Sequence, residues 1–144
     1  RLEAGLCLYG HDIDAQTNPV EANLAWAVQK VRRTDGARAG GYPGARMVQD
    51  AFDGGTVRKR VGLLPEGRAP MREGTSLYDA EEGGRLVGAV TSGGFGPTVG
   101  RPVAMGYVVR EDAEPETVLW GDVRGKRLPV RVANLPFVAA NFKR

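Results

Sequence analysis

The chain has a single histidine, His11, and a single cysteine, Cys7, four residues apart. A structural zinc site needs four such ligands, and a Cys–His catalytic pair needs a third group to orient the base. Gly10 lies between the two residues and is placed to interrupt a helix there. We therefore predict that Cys7 packs as a small apolar side chain and that neither residue binds a metal or acts in catalysis.

Two other groups of residues could take part in chemistry. The glycine-rich run from Gly93 to Pro97 lacks the lysine and the following helix of a phosphate-binding loop, so it is interpreted as a wide turn between two strands. Asp12 and Asp14 could form an acid pair or a capping group, but the usual fate of loop carboxylates is solvation. The sequence therefore contains no self-contained active site.

The first third of the chain mixes helical and turn signals. Apolar residues at helical spacing predict a helix over residues 1–10, ending at Gly10, and a loop follows to Pro19. Leu24, Trp26 and Val28 alternate with period two, which favours a strand from Ala22 to Gln29, with helix as the alternative. A glycine-rich linker over residues 32–44 then precedes a short predicted helix over residues 45–52.

After residue 53 the apolar period becomes two. Five segments show this alternation, and glycine-rich connections such as residues 92–94 and 124–126 separate them. This spacing predicts an antiparallel barrel or sandwich. Closure into a barrel would remove the sheet edges that Pro102 and Pro129 otherwise only protect. The five segments include residues 57–63, 86–90, 103–109, 118–120 and 128–132.

Composition limits the class of protein. Hydrophobic residues make up 42% of the 144 residues and charged residues 26%, as in soluble globular proteins. No apolar run approaches the roughly 20 residues needed to span a bilayer, so we expect no membrane association. The net charge of +3 is spread among 17 acidic residues, with few aromatic residues beside the basic ones, so nucleic acid is not an expected partner. The chain begins at Arg1 rather than Met, and we interpret it as a fragment.

Nine short blocks along the chain resemble, in family order, the T-protein (aminomethyltransferase) of the glycine cleavage system. The blocks are RLEAGLCLYG at 1–10, DID at 12–14, PVE at 19–21, YPGA at 42–45, RVGL at 60–63, VTSGGFGPT at 90–98, AMGYV at 104–108, VRGK at 123–126 and LPFV at 135–138. Together they extend over nearly the whole chain.

The resemblance implies an α+β fold. Residues 1–53 would be the end of the folate-binding middle region, with short helices and one strand, and residues 54–144 would form a mostly antiparallel six-stranded β-barrel. Family enzymes transfer the one-carbon unit from the aminomethyl-lipoyl arm of H-protein to tetrahydrofolate and release ammonia. The implied partners are lipoylated H-protein and the N-terminal domains of the same protein, the cosubstrate is tetrahydrofolate, and no metal is implied.

The resemblance also implies where the site residues lie. The family's catalytic aspartate belongs to the N-terminal part, so no catalytic residue is assigned here and the fragment alone is expected to be inactive. Arg1 and Phe142 match family positions that contact folate: a guanidinium can bind a carboxylate bidentately, and an aromatic ring can stack. Phe142 replaces a family tyrosine, so a hydroxyl is lost, and His11 replaces the asparagine of the family's GNDID segment.

The basic residues and the superfamily each allow more than one hypothesis. Lys30, Arg32, Arg33 and the run Arg58, Lys59 and Arg60 would either attract acidic H-protein or simply face solvent. Within the same superfamily the alternatives are a folate-dependent demethylase and the C-terminal section of a sarcosine- or dimethylglycine-type dehydrogenase. A noncatalytic barrel that binds folate or a protein is the alternative from another class. The expected compartment is the cytoplasm of a bacterium or the mitochondrial matrix of a eukaryote.

Overall fold

Six strands form a closed barrel in which every neighbouring pair is antiparallel, in the order β1-β4-β3-β2-β5-β6. The structure is a computed structural model and describes residues 1–141. The strands are β1 (Arg58–Pro65), β2 (Ser76–Tyr78), β3 (Leu86–Gly96), β4 (Arg101–Val109), β5 (Val118–Val123) and β6 (Lys126–Ala133). The predicted α+β fold with a six-stranded barrel is confirmed, and a barrel rather than a sandwich is formed.

The barrel interior is filled by the apolar residues of the period-two pattern. Val61 and Leu63 of β1 are buried there together with residues from every other strand and with Met71 of the β1–β2 connection. Each such side chain contributes roughly 1.5–3 kcal/mol through removal of apolar surface from water. Apart from Val57, which precedes β1, the five predicted segments lie within strands. The sixth strand, β2, has only three residues and was not predicted, because so short a segment shows no measurable alternation.

The run from Ser92 to Gly94 was predicted to connect two strands, and this was wrong. These residues lie inside β3, which continues to Gly96 and pairs with β4 along its length. Glycine is required at Gly93 because a Cβ there would overlap the main-chain oxygen of Met71. The glycines therefore allow the β1–β2 connection to pack directly on the strand, and they do not mark a turn.

The first 44 residues contain no strand and no α-helix. The helix predicted over residues 1–10 is wrong: the segment consists of turns, with Gly5 at φ +70°, and an isolated bridge joins Tyr9 to Ile13. The strand predicted from Ala22 to Gln29 is also wrong, because short 3-10 helices occupy Ala25–Ala27 and Lys30–Arg32. Trp26 is 76% exposed, so the alternating apolar residues do not face a common core.

The predicted helix at residues 45–52 is confirmed as α1 (Ala45–Gly54). Val48 and Ala51 are its buried residues, whereas Met47 is largely exposed. Three residues separate the end of the helix from β1, close to the predicted boundary at residues 53–54. The assignment of the two parts to separate domains stays a prediction. Within residues 1–141, none of the helices is both long enough and apolar enough to cross a bilayer.

Candidate functional site

Asp12 is the centre of the most extensive side-chain hydrogen-bond network in the described part of the chain. It is 1% exposed, and its Oδ2 accepts hydrogen bonds from Arg1 Nη1 at 2.9 Å, Leu8 N at 3.0 Å and Ser92 Oγ at 2.9 Å. Its Oδ1 accepts one from Thr91 Oγ1 at 2.6 Å. The prediction that this carboxylate would be solvated was wrong, because the barrel wall buries it. Asp14, in contrast, is exposed and binds Gln16 N at 2.8 Å, which stabilises a local turn.

A β-bulge explains how two consecutive residues reach the same carboxylate. Neighbours in a regular strand point to opposite faces of the sheet. In β3, however, Val90 pairs with Gly106 and Ser92 pairs with Met105, so Thr91 is the extra residue. The bulge turns both the Thr91 and the Ser92 hydroxyls toward Asp12.

The electrostatic balance keeps Asp12 charged. Burial acts to raise the pKa of the carboxyl group, but hydrogen bonds from Thr91, the Leu8 N–H and Ser92, together with the Arg1 charge, outweigh burial and lower the pKa below its ordinary value. A carboxylate that accepts this many hydrogen bonds is held in one orientation. Asp12 is therefore suited to positioning Arg1 rather than to accepting a proton at neutral pH.

Arg1 is held on one edge and open on another. Its Nη1 binds Asp12 and the main-chain oxygen of Leu6 at 2.9 Å, and its Nη2 donates to Ser92 Oγ at 3.2 Å. Its Nε forms no hydrogen bond with any residue between 1 and 141, so the edge of the guanidinium that includes Nε is free. The side chain remains 36% exposed. This free edge is the one with which a guanidinium binds a carboxylate or the polar edge of a ring bidentately.

Arg1 lies between two clefts. One, of about 360 Å³, is mostly apolar and is formed with Leu6, Pro136 and Val138. The other, of about 300 Å³, is polar and is formed with His11, Arg72 and the bulge residues of β3. Both volumes lie near the lower end of the range of small-molecule sites. A ligand on the free edge of Arg1 would thus meet an apolar wall on one side and a polar wall on the other.

His11 and Cys7 lie in different environments. His11 Nδ1 lies 2.8 Å from Glu73 Oε2, in a contact between two exposed side chains. Cys7 is partly buried, and burial raises the pKa of its thiol, so the reactive thiolate is disfavoured. Cys7 lies in irregular structure rather than in the predicted helix. Among residues 1–141 no group of three or more His, Cys, Asp and Glu residues is arranged to hold a metal ion.

The segment that includes Arg1 is fixed to the barrel by Arg60. This side chain is 3% exposed and donates hydrogen bonds to the main-chain oxygens of Ala22 at 2.7 Å and Gly5 at 3.0 Å. Gly5 itself packs closely against Leu135, where a Cβ would lie 3.1 Å from the leucine Cβ. Both predicted roles of Arg60 are therefore wrong, because the side chain is buried and neither faces a partner nor is solvated.

Several of the other basic residues considered for partner binding also have internal contacts. Arg58 forms an ion pair with Glu21 at 3.1 Å and lies over the Tyr107 ring. Arg33 donates to the oxygens of Ala25 and Val28, and Arg32 donates to that of Gly40. Lys30 and Lys59 are exposed, with no ion pair to any residue between 1 and 141. The surface charge available to a partner is thus smaller than the sequence indicates.

Of the two predicted folate contacts, only Arg1 is in the part of the chain that can be described. Phe142 lies outside the described residues, so its proximity to Arg1 stays a prediction. The grouping of Asp12, Thr91 and Ser92 was not predicted from the sequence. Their one available signal was membership of the DID and VTSGGFGPT blocks, which are about 80 residues apart.

Comparison with known proteins places this barrel and the segment packed on it in a defined class. Residues 58–139 match the family model described as the glycine cleavage T-protein C-terminal barrel domain. The match includes more than half of the 144 residues and all six strands. The chain therefore belongs to the glycine cleavage T-protein family.

The similar proteins in this family are aminomethyltransferases. The chain is 45% identical to the mitochondrial aminomethyltransferase of Homo sapiens over 99% of its length, and 43% identical to the aminomethyltransferase of Saccharopolyspora erythraea over 98%. The glycine cleavage system aminomethyltransferase T of Bartonella henselae superposes with a TM-score of 0.85 at 46% identity, over 96% of this chain and 37% of that one. The chain spans about a third of the length of these relatives (34% and 36%).

Proposed function

We propose that this chain is part of an aminomethyltransferase of glycine cleavage that transfers the one-carbon unit from the aminomethyl-lipoyl arm of H-protein to tetrahydrofolate, with release of ammonia. Membership of the T-protein family supports this activity. The observation that carries the proposal within this chain is the Arg1 guanidinium, oriented by buried Asp12 and open on its Nε edge. Because the chain matches about a third of each relative, the activity is proposed for the complete enzyme.

The residues present fit tetrahydrofolate as the acceptor substrate. A folate combines flat rings with carboxylates, and Arg1 lies between an apolar cleft and a polar one. The free edge of Arg1 would bind a carboxylate or the polar edge of the pterin, and Leu6 and Pro136 would contact a ring face. This chain would then supply one wall of the folate pocket, and Phe142 would extend it.

The contribution of these residues to the reaction would be positioning. Asp12 stays ionised and bound to its neighbours, so it orients Arg1 and transfers no proton. Correct placement of donor and acceptor can lower a barrier by several kcal/mol. The proton-transferring aspartate that the family resemblance implies would lie outside this chain. We therefore expect the 144-residue chain alone to release no ammonia from aminomethylated H-protein.

The proposal is tested in a complete enzyme made by joining this chain behind the N-terminal part of the Saccharopolyspora erythraea relative. Arg1→Lys is expected to lower kcat/KM for tetrahydrofolate roughly tenfold or more, because one ammonium cannot replace a bidentate edge. Arg46→Lys on the exposed face of α1 is the matched control and should leave kcat/KM unchanged. Equal kinetics for the Arg1→Lys enzyme and its parent would remove Arg1 from the site.

The same enzyme distinguishes the alternatives. Turnover of methylated amines in place of aminomethylated H-protein would identify a demethylase or a section of a sarcosine- or dimethylglycine-type dehydrogenase. Folate binding without turnover of either substrate would identify a noncatalytic barrel. Relatives named mitochondrial occur in eukaryotes and others occur in bacteria. We accordingly propose the mitochondrial matrix or the bacterial cytoplasm, depending on the host.

The proposed partner, acidic H-protein, would be attracted by the exposed lysines Lys30 and Lys59. Replacing both with Glu is expected to slow association with H-protein most strongly at low ionic strength, because salt screens exposed charges. Stopped flow at several salt concentrations measures the association rate of the parent and of the double variant. An unchanged rate would mean that these lysines only face solvent.

A further inference from the structure

Glu3 joins three parts of the chain. Its Oε1 accepts hydrogen bonds from Thr98 N at 2.7 Å and Val99 N at 2.9 Å, in the turn between β3 and β4. Its main-chain oxygen accepts two more, from Phe137 N at 2.9 Å and Val138 N at 3.2 Å, in the segment that follows β6. One residue therefore fixes the start of the chain both to the barrel and to the segment after the last strand.

The turn between β3 and β4 is shaped to bind this carboxylate. Gly96 leaves room for it, since a Cβ there would lie 2.7 Å from Glu3 Oε1, and Gly100 N closes the turn with a 2.7 Å hydrogen bond to Gly96 O. Successive main-chain N–H groups that point at one site form a concave binding site for an anion. The hydrogen bond from Val99 N, with those from Thr98, outweighs burial and lowers the pKa of Glu3 below its ordinary value. The carboxylate is therefore ionised at neutral pH, and its bonds to the turn are charge-assisted.

Glu3 also lines the apolar cleft beside Arg1, which has a volume of about 360 Å³. Leu6 belongs to one wall of this cleft, and Pro136 and Val138 belong to the opposite wall. The main-chain hydrogen bonds of Glu3 connect the two walls, and its side chain fixes them to the turn between β3 and β4. The position of Glu3 therefore determines where the main chain of Arg1 lies relative to the opposite wall.

We propose that Glu3 is a positioning residue for the acceptor substrate: bound to the turn between β3 and β4, its carboxylate sets the spacing of the apolar cleft and the direction of the free edge of Arg1. This inference rests on the proposed function and adds a residue that acts through Arg1. Asp12 orients the guanidinium at one end of the Arg1 side chain, and Glu3 fixes the main chain at the other end. Both are needed because hydrogen bonds weaken steeply with misalignment, so a bidentate contact requires a correctly placed edge.

The first experiment measures amide hydrogen exchange by NMR in the 144-residue chain. Glu3→Ala is expected to speed exchange at Phe137 and Val138 roughly tenfold through local opening, although the main-chain oxygen that accepts their hydrogen bonds remains. Glu81→Ala is the matched control, because Glu81 is an exposed acid of the β2–β3 connection with no ion pair to any residue between 1 and 141. This control should change neither rate. Unchanged exchange at Phe137 and Val138 in the Glu3→Ala chain would overturn the proposal, because the cleft would then keep its spacing without the carboxylate.

The second experiment measures steady-state kinetics in the complete enzyme, with saturating aminomethylated H-protein. Glu3→Ala is expected to raise KM for tetrahydrofolate roughly tenfold and to change kcat less than about twofold, because it weakens the binding of one substrate. Glu3→Gln should raise KM only about threefold, since a neutral amide oxygen can accept the same two hydrogen bonds at about half their strength. Glu81→Ala should leave both constants unchanged.

A double variant distinguishes positioning of Arg1 from a general loss of stability. If Glu3 acts through Arg1, Glu3→Ala should raise KM less than about twofold in the Arg1→Lys background, whereas the effects of two independent sites would multiply. Multiplied effects, or an unchanged KM in the Glu3→Ala enzyme, would overturn the inference and leave the proposed function intact. Absence of turnover in the parent would count against the proposed function, and the exchange experiment would still decide whether Glu3 sets the spacing of the cleft.

Discussion

The hydroxyl of Tyr107 donates a 2.7 Å hydrogen bond to the main-chain oxygen of Asp12, 95 residues earlier in the chain. Asp12 is thereby held from two sides, through its backbone by β4 and through its carboxylate by the β3 bulge and Arg1. Tyr107 is almost fully buried in this position. The loop that orients Arg1 is therefore fixed to the outside of the barrel by contacts with β3 and β4.

Replacement of Asp12 by Asn should destabilise the fold by about 2–3 kcal/mol, because the carboxylate accepts several buried hydrogen bonds and an amide nitrogen cannot accept any of them. Asp14→Asn is the matched control; its exposed side chain stabilises only a local turn, so the loss should stay below about 1 kcal/mol. Urea unfolding at pH 7 measures both values. Equal midpoints for the two variants would contradict a special role for Asp12.

The lowered pKa of Asp12 also predicts a pH dependence. A carboxyl group whose pKa is lower in the folded than in the unfolded state stabilises the fold above the unfolded value, near 3.8, and this stabilisation is lost as the pH falls through the folded value. Between pH 5 and about 2 the parent should therefore lose more stability than Asp12→Asn. Urea unfolding midpoints of both proteins should be measured across this range. If the pKa of Asp12 were the same in the folded and unfolded states, the two midpoints would fall by equal amounts.

Arg60→Ala should loosen the segment before α1 while the strands of the barrel stay protected. Without the guanidinium, the oxygens of Gly5 and Ala22 lose their buried donors, at a cost of about 1–3 kcal/mol each. Hydrogen exchange followed by mass spectrometry should show faster exchange in residues 1–24 and little change in β5 and β6. Arg58→Ala, which removes an exposed ion pair with Glu21, is the control and should have a much smaller effect.

Two adjacent glycines should respond very differently to substitution. Gly93→Ala would place a Cβ against the main-chain oxygen of Met71, so the β1–β2 connection would have to move, at a cost of about 2 kcal/mol. Gly94→Ala would meet only Leu2 Cδ2 at 3.9 Å and should change stability by less than about 0.5 kcal/mol. The unfolding temperatures of the two variants measure this difference. A larger loss of stability for Gly94→Ala would contradict the close packing of residues 66–75 on Gly93.

The Tyr107 hydroxyl should lose its proton only at high pH. Burial, followed by the neighbouring Cys7, raises its pKa to about 12. Because the folded state holds this proton more tightly than the unfolded state, the stabilisation is complete below about pH 10 and is lost as the pH rises toward 12. Absorbance titration at high pH should show a late component that is absent in Tyr107→Phe. Its persistence in that variant would assign it to another tyrosine.

Much of the barrel was predictable, because its signal is local. Alternation of apolar and polar residues has the period of a strand, and it located Val61, Val90 and Val130 in the core. The same rule failed at Trp26, where the alternation is accidental, and at Gly93, where glycine marks a close contact rather than a turn. A period-two pattern marks a buried face only where a strand forms and packs one side against a core. The residues before α1 form no strand and pack irregularly on the outside of the barrel, so their alternation has no such meaning.

What the sequence by itself determined was five of the six strands, the helix predicted over residues 45–52 and, through the family blocks, the choice of Arg1 as a candidate folate contact. Only the tertiary structure decided the environment of Arg1. Asp12 becomes a buried anchor because the β3 bulge brings Thr91 and Ser92 to it across about 80 residues, and Arg60 becomes internal because the first segment covers it. Burial and pairing of charges depend on contacts between distant residues, and local patterns contain no information about such contacts.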